Sequence, residues 1–158
     1  MFVRALALIR ELGPEGLRRT AELAVLNANY VRARLKDAYH LPYETDSLHE
    51  VVFTDKGLKP TGVTTMDVAK RLIDHGFHPP TVYFPLVVQG ALMIEPTETE
   101  SKETLDRFVA GMRAIADQAR SDAEGLKAAP AKPFRARLDE TRAARKPVLR
   151  WTPGMKTE

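Results

Sequence analysis

Residues 91–121 read ALMIEPTETESKETLDRFVAGMRAIADQARS and contain the two patterns that decide the fold. The apolar run at 91–94, which Pro96 closes, predicts a short strand. Thr99 or Ser101 then offers a hydroxyl that can cap a helix. That helix has the clearest periodicity in the chain, with apolar residues three and four apart: Leu105, Phe108, Val109, Met112, Ile115, Ala116 and Ala119.

The flanking sequence repeats this alternation of strand and helix patterns. We predict helices over residues 2–12 and 14–36, separated at Gly13-Pro14, and a further helix that begins at Thr64–Asp67 and stops at Gly76. Two more strands are predicted over residues 49–54 and 82–84. Three short strands with helices on one face make an α+β fold, a short sheet covered by helices. This pattern suggests no cleft of its own.

The sequence predicts a boundary after Gly125, which is expected to end the long helix. Residues 1–125 would form a small α+β domain, and residues 126–158 an extended tail that contains four prolines. The tail carries nine basic and three acidic residues, whereas the preceding 125 carry 15 basic and 18 acidic ones. The net charge of +3 therefore arises from the tail. Because only Phe134 and Trp151 accompany these charges, we expect a solvated tail or an arm that lies along a partner subunit, rather than a nucleic-acid site.

Composition excludes several kinds of chemistry. The chain has 158 residues, 44% of them apolar and 28% charged, and no cysteine, so disulfides, thiolate metal sites and cysteine nucleophiles are absent from it. No apolar run is long enough to cross a membrane, and the opening segment lacks the pattern of a secretory signal, so we expect a cytoplasmic protein. No serine lies in a nucleophile elbow, and no glycine loop for phosphate is present.

The histidines and acidic residues do not form an evident metal site. His75 and His78 are three residues apart, but Gly76 breaks the helix between them, so we expect no metal there. The dipole of the helix that ends near His75 is expected to favour its cationic form. The acidic cluster at 95–100 suits a helix start, although it could also lie beside the site of a partner.

Several stretches resemble one known family. They are AVLNANY at 24–30, GFHPPTVYFP at 76–85, LMIEPTETESKETLD at 92–106 and LDETRAAR at 138–145. The chain resembles, over essentially its whole length, the C-terminal part of the glycine-decarboxylating P-protein of the glycine cleavage system, in particular subunit 2 of its two-subunit bacterial form.

The resemblance implies a fold, a reaction and partners. Members are pyridoxal-phosphate enzymes of the aspartate-aminotransferase-like fold (fold type I), which decarboxylate glycine and pass the aminomethyl group to the lipoyl arm of H-protein. The chain would be the small C-terminal domain of such an enzyme, closing the active-site cleft and building the subunit interface. Its expected partners are glycine dehydrogenase subunit 1, the lipoyl H-protein and the large domain of the same enzyme, with neither nucleic acid nor membrane.

The lysine that binds the cofactor in the family lies in a His-Lys-Thr context followed by a glycine-rich stretch. This chain has no His-Lys pair, and none of its nine lysines matches that context. We therefore expect the chain to begin after the cofactor lysine, and to be inactive and without pyridoxal phosphate when alone. The competing hypothesis is a stand-alone, non-enzymatic protein-interaction domain.

Three residues are candidates for the edge of the active-site cleft. Small domains of this fold often offer a cation to the substrate carboxylate, and the candidates for this role are His49, His78 and Arg71. Asn27 and Asn29 interrupt an otherwise apolar helix face. Because buried amides need hydrogen-bond partners, we expect these two side chains to hold the helix to the large domain.

Overall fold

The computed structural model describes residues 1–155. Its helices and strands, in chain order, are α1 (Phe2–Leu35), β1 (Val51–Thr54), α2 (Thr65–Asp74), β2 (Thr81–Val82), β3 (Ala91–Ile94), α3 (Lys102–Ser121), α4 (Ala123–Lys127) and α5 (Glu140–Arg145). Two single 3₁₀ turns, Asp55–Gly57 and Lys59–Thr61, connect β1 to α2. The predicted α+β class is confirmed. Strands lie close to the three predicted places, but β2 ends at Val82, so Tyr83 and Phe84 of the predicted strand lie outside it.

The three strands form one antiparallel sheet in the order β1-β3-β2. Val51 pairs with Ile94 on one side of β3, and Thr81 pairs with Met93 on the other. All four residues of β3 are buried, because the central strand has a neighbour on each side and helices pack nearby. This register decides which residues meet at the ends of the strands.

The hydrophobic core lies between the sheet, the second half of α1, and helices α2, α3 and α4. Its fully buried residues come from every one of these elements: Val31, Leu35, Val51, Phe53, Val68, Leu72, Leu92, Met112, Ile115 and Leu126. The ring of Tyr39 lies 6.3 Å from that of Phe53, and its hydroxyl donates to the carbonyl of Met112 at 2.8 Å. The predicted apolar face of α3 is thus the face that contacts the core.

Helix α1 consists of two segments that meet at a break. Gly13 has φ +61° and ψ −175°, which are not helical angles, so the predicted separation at Gly13-Pro14 is confirmed. The segment before the break is exposed through residue 11, and Phe2 and Val3 are 92% and 81% exposed. Only the second segment, from about Asn27 onward, is buried against the body.

Helix α2 begins and ends where the sequence predicts. The N–H of Asp67 donates to Thr64 Oγ1 at 3.4 Å, and the N–H of Thr64 donates to Asp67 Oδ2 at 2.8 Å. This reciprocal pair is a capping box, which satisfies two free N–H groups of the first turn. Gly76, at φ +82°, takes the left-handed conformation that ends the helix.

The prediction that Gly125 ends the long helix is wrong. Helix α3 ends at Ser121, where Asp122 leaves the helical conformation and starts α4. The Asp122 carboxylate accepts from the N–H of Gly125 at 2.9 Å, and a Cβ on Gly125 would overlap that carboxylate. Gly125 is therefore the third residue of a new helix, where a close side-chain cap excludes larger residues.

The segment after residue 125 begins inside the body. Leu126 and Ala129 are fully buried, and Pro130 is buried beside them. The described residues beyond Ala131 are mostly exposed and contain one short helix, α5, which the sequence analysis did not predict. None of the helices in the described part of the chain combines the length and hydropathy that a bilayer crossing requires.

Candidate functional site

A cleft of about 390 Å³ opens between α1, the loop after α2, the edge of the sheet and the first turns of α3. The residues that line it are Val31, Phe77, His78, Pro79, Pro80, Thr81, Met93, Ile94, Glu95, Pro96, Glu100, Thr104, Leu105 and Phe108. The expectation that the domain has no cleft of its own is wrong. The cleft was not predictable from strand and helix patterns, because its walls come from four separate parts of the chain.

Rigid segments, a ring contact and a hydrogen bond hold the segments that form the cleft. Pro79 and Pro80 restrict the backbone of one wall, and Phe77 packs edge-on against Phe108 with ring centroids 5.4 Å apart. Next to the lining residues Glu95 and Pro96, the amide of Asn27 donates to the carbonyl of Thr97 at 2.8 Å. The segment after β3 is thereby fixed to α1, and the cleft has a defined shape.

The mouth of the cleft is acidic. Glu95 and Glu100 both line it and are both exposed. Among the ion pairs of residues 1–155, none involves either carboxylate. The nearby Lys102 pairs with Asp106 at 2.6 Å, and the guanidinium of Arg107 lies over the Phe77 ring, 5.9 Å from its centroid. Neither Glu95 nor Glu100 therefore has an ion-pair partner in the described part of the chain.

His49 and Glu50 extend this acidic mouth. One ligand atom of each of His49, Glu50 and Glu95 lies within 4.8 Å of the other two. The pairing of Val51 with Ile94 brings Glu50 opposite Glu95, one position beyond the end of the ladder. An imidazole and two carboxylates can together hold a cation. The sequence analysis did not group them, because their proximity depends on the register of β1 and β3.

The three cleft-edge candidates lie in two different places. His78 lines the cleft, and His49 lies at its mouth beside Glu95. Arg71 does not line it: the guanidinium donates to Asp74 Oδ2 at 3.0 Å and to the carbonyl of Gly125 at 2.8 Å. The side chain of Arg71 is 17% exposed and joins α2 to α4. Contact of any of the three with substrate stays a prediction.

The two asparagines of α1 bind segments of this domain. Asn29 donates to the carbonyl of Ser47 at 2.6 Å and accepts from the N–H of Ser47 at 3.0 Å. Asn27 binds Thr97. The expectation that these amides hold the helix to another domain is thus wrong for Asn29. Its side chain instead fixes the loop before His49, and so helps to place the mouth of the cleft.

His75 differs from the expectation based on the helix dipole. Loss of hydration, followed by the positive charges of Lys132 and Arg71, lowers the pKa of His75, although Asp74 acts in the opposite direction. The main cause is that partial burial removes water from the charged form of the ring, and the two nearby cations add to this effect. The neutral imidazole is therefore favoured.

The lining of the cleft does not fit pyridoxal phosphate. No lysine of residues 1–155 lines it, so no described amine there could form a Schiff base. Glu95 and Glu100 would repel the phosphate group. The chemistry that the cleft can support is instead the binding of apolar groups and cations.

Comparison with known proteins gives a family. Residues 20–136 match the family model described as "Glycine dehydrogenase, C-terminal domain". Proteins named "Probable glycine dehydrogenase (decarboxylating) subunit 2" are similar to the chain. The one from Listeria innocua is 57% identical over 94% of this chain, and the one from Caulobacter vibrioides is 57% identical over 97%. The one from Staphylococcus haemolyticus is 54% identical over 96%.

These matches cover the described fold almost completely, but only part of each relative. The chain spans about 30% of the length of the curated relatives that it matches. The family model includes α1 from residue 20 onward, all three strands, helices α2 to α4 and the whole cleft lining. The chain therefore belongs to the family of glycine dehydrogenase C-terminal domains.

Proposed function

We propose that the chain serves as the C-terminal domain of a glycine dehydrogenase (decarboxylating). The complete enzyme decarboxylates glycine and transfers the aminomethyl group to the lipoyl group of H-protein. The observation that carries this proposal is the identity of 57% to a protein named as subunit 2 of that enzyme, across 94% of the chain. This match to an enzyme subunit favours the proposal over a stand-alone interaction domain.

Pyridoxal phosphate is the cofactor of the proposed enzyme, and the domain corresponds to the small domain of fold type I. The cofactor supplies an electron sink for the decarboxylation of glycine. Because the cleft of this chain does not fit the cofactor, the lysine and the phosphate site belong to parts of the enzyme outside this sequence. The role of this chain is then to close one side of the active site, with His49 and His78 as edge residues.

The partners of the proposed enzyme are subunit 1, the lipoyl H-protein and the large domain of subunit 2. The name "subunit 2" of the relatives supports a subunit 1 partner. The exposed apolar residues of the first segment of α1 support contact with another part of the enzyme. We place the enzyme in the cytoplasm.

The first experiment tests the isolated chain. It is incubated with pyridoxal phosphate, reduced with borohydride, and analysed for labelled lysines by mass spectrometry. We expect no stoichiometric label on any one of the nine lysines and no glycine–bicarbonate exchange. Stoichiometric labelling of a single lysine would contradict the proposal that the cofactor lysine lies outside this chain.

The second experiment tests the activity. The chain replaces the matching 30% of the Listeria innocua relative, and the hybrid is combined with subunit 1. We expect glycine–bicarbonate exchange, and a lower rate when His49→Ala or His78→Ala is introduced. A folded hybrid without exchange, beside an active native relative, would refute the proposed function. Unchanged exchange in a histidine variant would remove only that residue from the site.

A further inference from the structure

The interior of the cleft is suited to an alkyl chain. Its volume of about 390 Å³ lies in the range of small-molecule sites, which are mostly apolar with a few polar groups. Phe77, Phe108 and Leu105 form one part of the wall, and Met93 and Ile94 form another. These five side chains offer no hydrogen bonds, and His78, Thr81 and Thr104 are the uncharged polar side chains that also line the cleft.

The mouth of the cleft is suited to a cation. Glu95 and Glu100 have no ion-pair partner in the described part of the chain, and Glu50 is placed opposite Glu95 by the strand register. Like charges directly opposite each other across two strands are destabilising. A bound cation would relieve this repulsion and would gain charge-assisted hydrogen bonds.

We propose that this cleft binds an unbranched alkyl chain that ends in a primary ammonium group. The alkyl chain of the ligand occupies the apolar interior, and its ammonium group contacts Glu95 and Glu100 at the mouth. A metal ion bound by His49, Glu50 and Glu95 would neutralise the carboxylates, but it would leave the apolar part of the cleft empty. This binding goes beyond the proposed function, because it requires neither glycine, nor pyridoxal phosphate, nor another domain.

The test uses the complete 158-residue chain with ¹³C-labelled methionine methyl groups. Met93 lines the cleft, whereas Met66 and Met155 do not. We expect hexylammonium to shift the Met93 resonance saturably, with a Kd of about 1 mM for so small a ligand, and to leave Met66 and Met155 unchanged. Hexanoate, which has the opposite charge, should bind roughly tenfold more weakly. Nα-acetyl-lysine methylamide, which imitates a lysine within a protein, is titrated in the same way. A comparison of its affinity with that of hexylammonium distinguishes a protein lysine from a free amine as the natural ligand.

Matched variants test whether Glu95 and Glu100 bind the ammonium group. Glu95→Gln with Glu100→Gln should lower hexylammonium affinity about fivefold to tenfold, while hexanol, which has no charge, binds as before. Glu103→Gln is the control, because this exposed residue of the first turn of α3 does not line the cleft.

Several results would overturn the proposal. They are an unchanged Met93 resonance with both ammonium ligands, equal affinity for hexanoate and hexylammonium, or the same loss in Glu103→Gln as in the double variant. Saturable zinc binding at His49 without any response to hexylammonium would assign the mouth to a metal ion instead. Thermal melts of each variant establish that it is folded before its affinity is compared.

Discussion

Asp74 is a buried carboxylate that joins α2 to the segment after α4. It accepts from the backbone N–H of Ala131 at 2.9 Å and of Lys132 at 2.8 Å, and it pairs with Arg71 at 3.0 Å. Burial alone would raise the pKa of Asp74, but the hydrogen bonds from Lys132 and Ala131 and the charge of Arg71 outweigh it and lower the pKa. This residue connects parts of the chain 57 and 58 positions apart.

Asp74→Ala should lower the free energy of unfolding by about 3 kcal/mol, because it removes the acceptor of the Ala131 and Lys132 N–H groups and leaves the largely buried Arg71 unpaired. Glu124→Ala is the control. Glu124 is 86% exposed and pairs with Lys127 at 3.0 Å, so its loss should cost about 0.5 kcal/mol or less. Urea unfolding at pH 7 measures both, and equal losses would contradict the structural role of Asp74.

The lowered pKa of Asp74 also predicts a dependence on pH. A carboxylate whose pKa is lower in the folded protein stabilises it above the unfolded value of 3.8. That contribution is lost as the pH falls below 3.8 through the lower folded pKa. The stability difference between the native chain and Asp74→Asn should therefore shrink between pH 5 and pH 2.5 in urea titrations. A constant difference over this range would refute the linkage.

Gly90 is required by a close contact as well as by its backbone angle. Its φ is +67°, and a Cβ there would overlap the carboxylate of Asp55. The carbonyl of Gly90 also accepts from Thr65 Oγ1 at 2.7 Å, which joins the start of β3 to the start of α2. Gly76 has a similar angle, φ +82°, but open space around it.

Gly76→Ala should lower the free energy of unfolding by about 1 kcal/mol, because alanine is strained in the left-handed backbone conformation. Gly90→Ala adds a steric overlap and should cost about 2 kcal/mol more. Chemical denaturation of the two variants gives the comparison. Similar losses would mean that Asp55 moves aside without cost.

At the scale of elements, helix boundaries set by neighbouring residues could be predicted from the sequence, whereas features that depend on packing could not. The start of α2 was predictable because Thr64 and Asp67 cap it from within four residues. The end of α3 was not predictable. Asp122 ends this helix and caps the next one with its own side chain, whereas Gly125 in the sequence is equally typical of a helix end. The periodicity of residues 2–12 predicts a helix correctly, but periodicity does not say whether the apolar face has a partner.

The first segment of α1 should not contribute to the stability of the domain, since all of residues 1–11 are exposed. A chain without residues 1–13 should unfold at the same urea concentration as the full chain, and should self-associate less in sedimentation velocity because an apolar surface is removed. Val31→Ala is the contrasting variant. Val31 is fully buried, so its truncation should cost about 2 kcal/mol. A large stability loss on removing 1–13 would contradict this division of α1.

At the scale of the whole molecule, the first residues after the predicted boundary at Gly125 contact the body. Arg137 donates to Asp67 Oδ1 at 2.6 Å and to the carbonyl of Ala129 at 2.8 Å. Leu126 and Ala129 are part of the buried interior. The polar and proline-rich composition of this segment predicts an extended tail, but two buried apolar residues and the acceptors on α2 hold its first part to the body.

This packing predicts how the chain tolerates truncation. A chain that ends at residue 137 should keep the thermal midpoint of the full chain within a few degrees, because it retains these contacts. A chain that ends at residue 125 should be largely unfolded, since it loses Leu126, Ala129 and the partners of Asp74. Thermal melts followed by circular dichroism measure the difference. A cooperative melt of the shorter chain near the native midpoint would support the boundary predicted from composition.

The sequence by itself determined the α+β class, the positions of the strands, the capped start of α2 and the family, because these depend on patterns within a few consecutive residues. Tertiary structure alone decided the cleft and its charge. Asn27 meets Thr97 across 70 positions, and Glu50 meets Glu95 through the register of two strands. Such contacts depend on how elements pack, and a one-residue change of register would separate them without altering any local pattern.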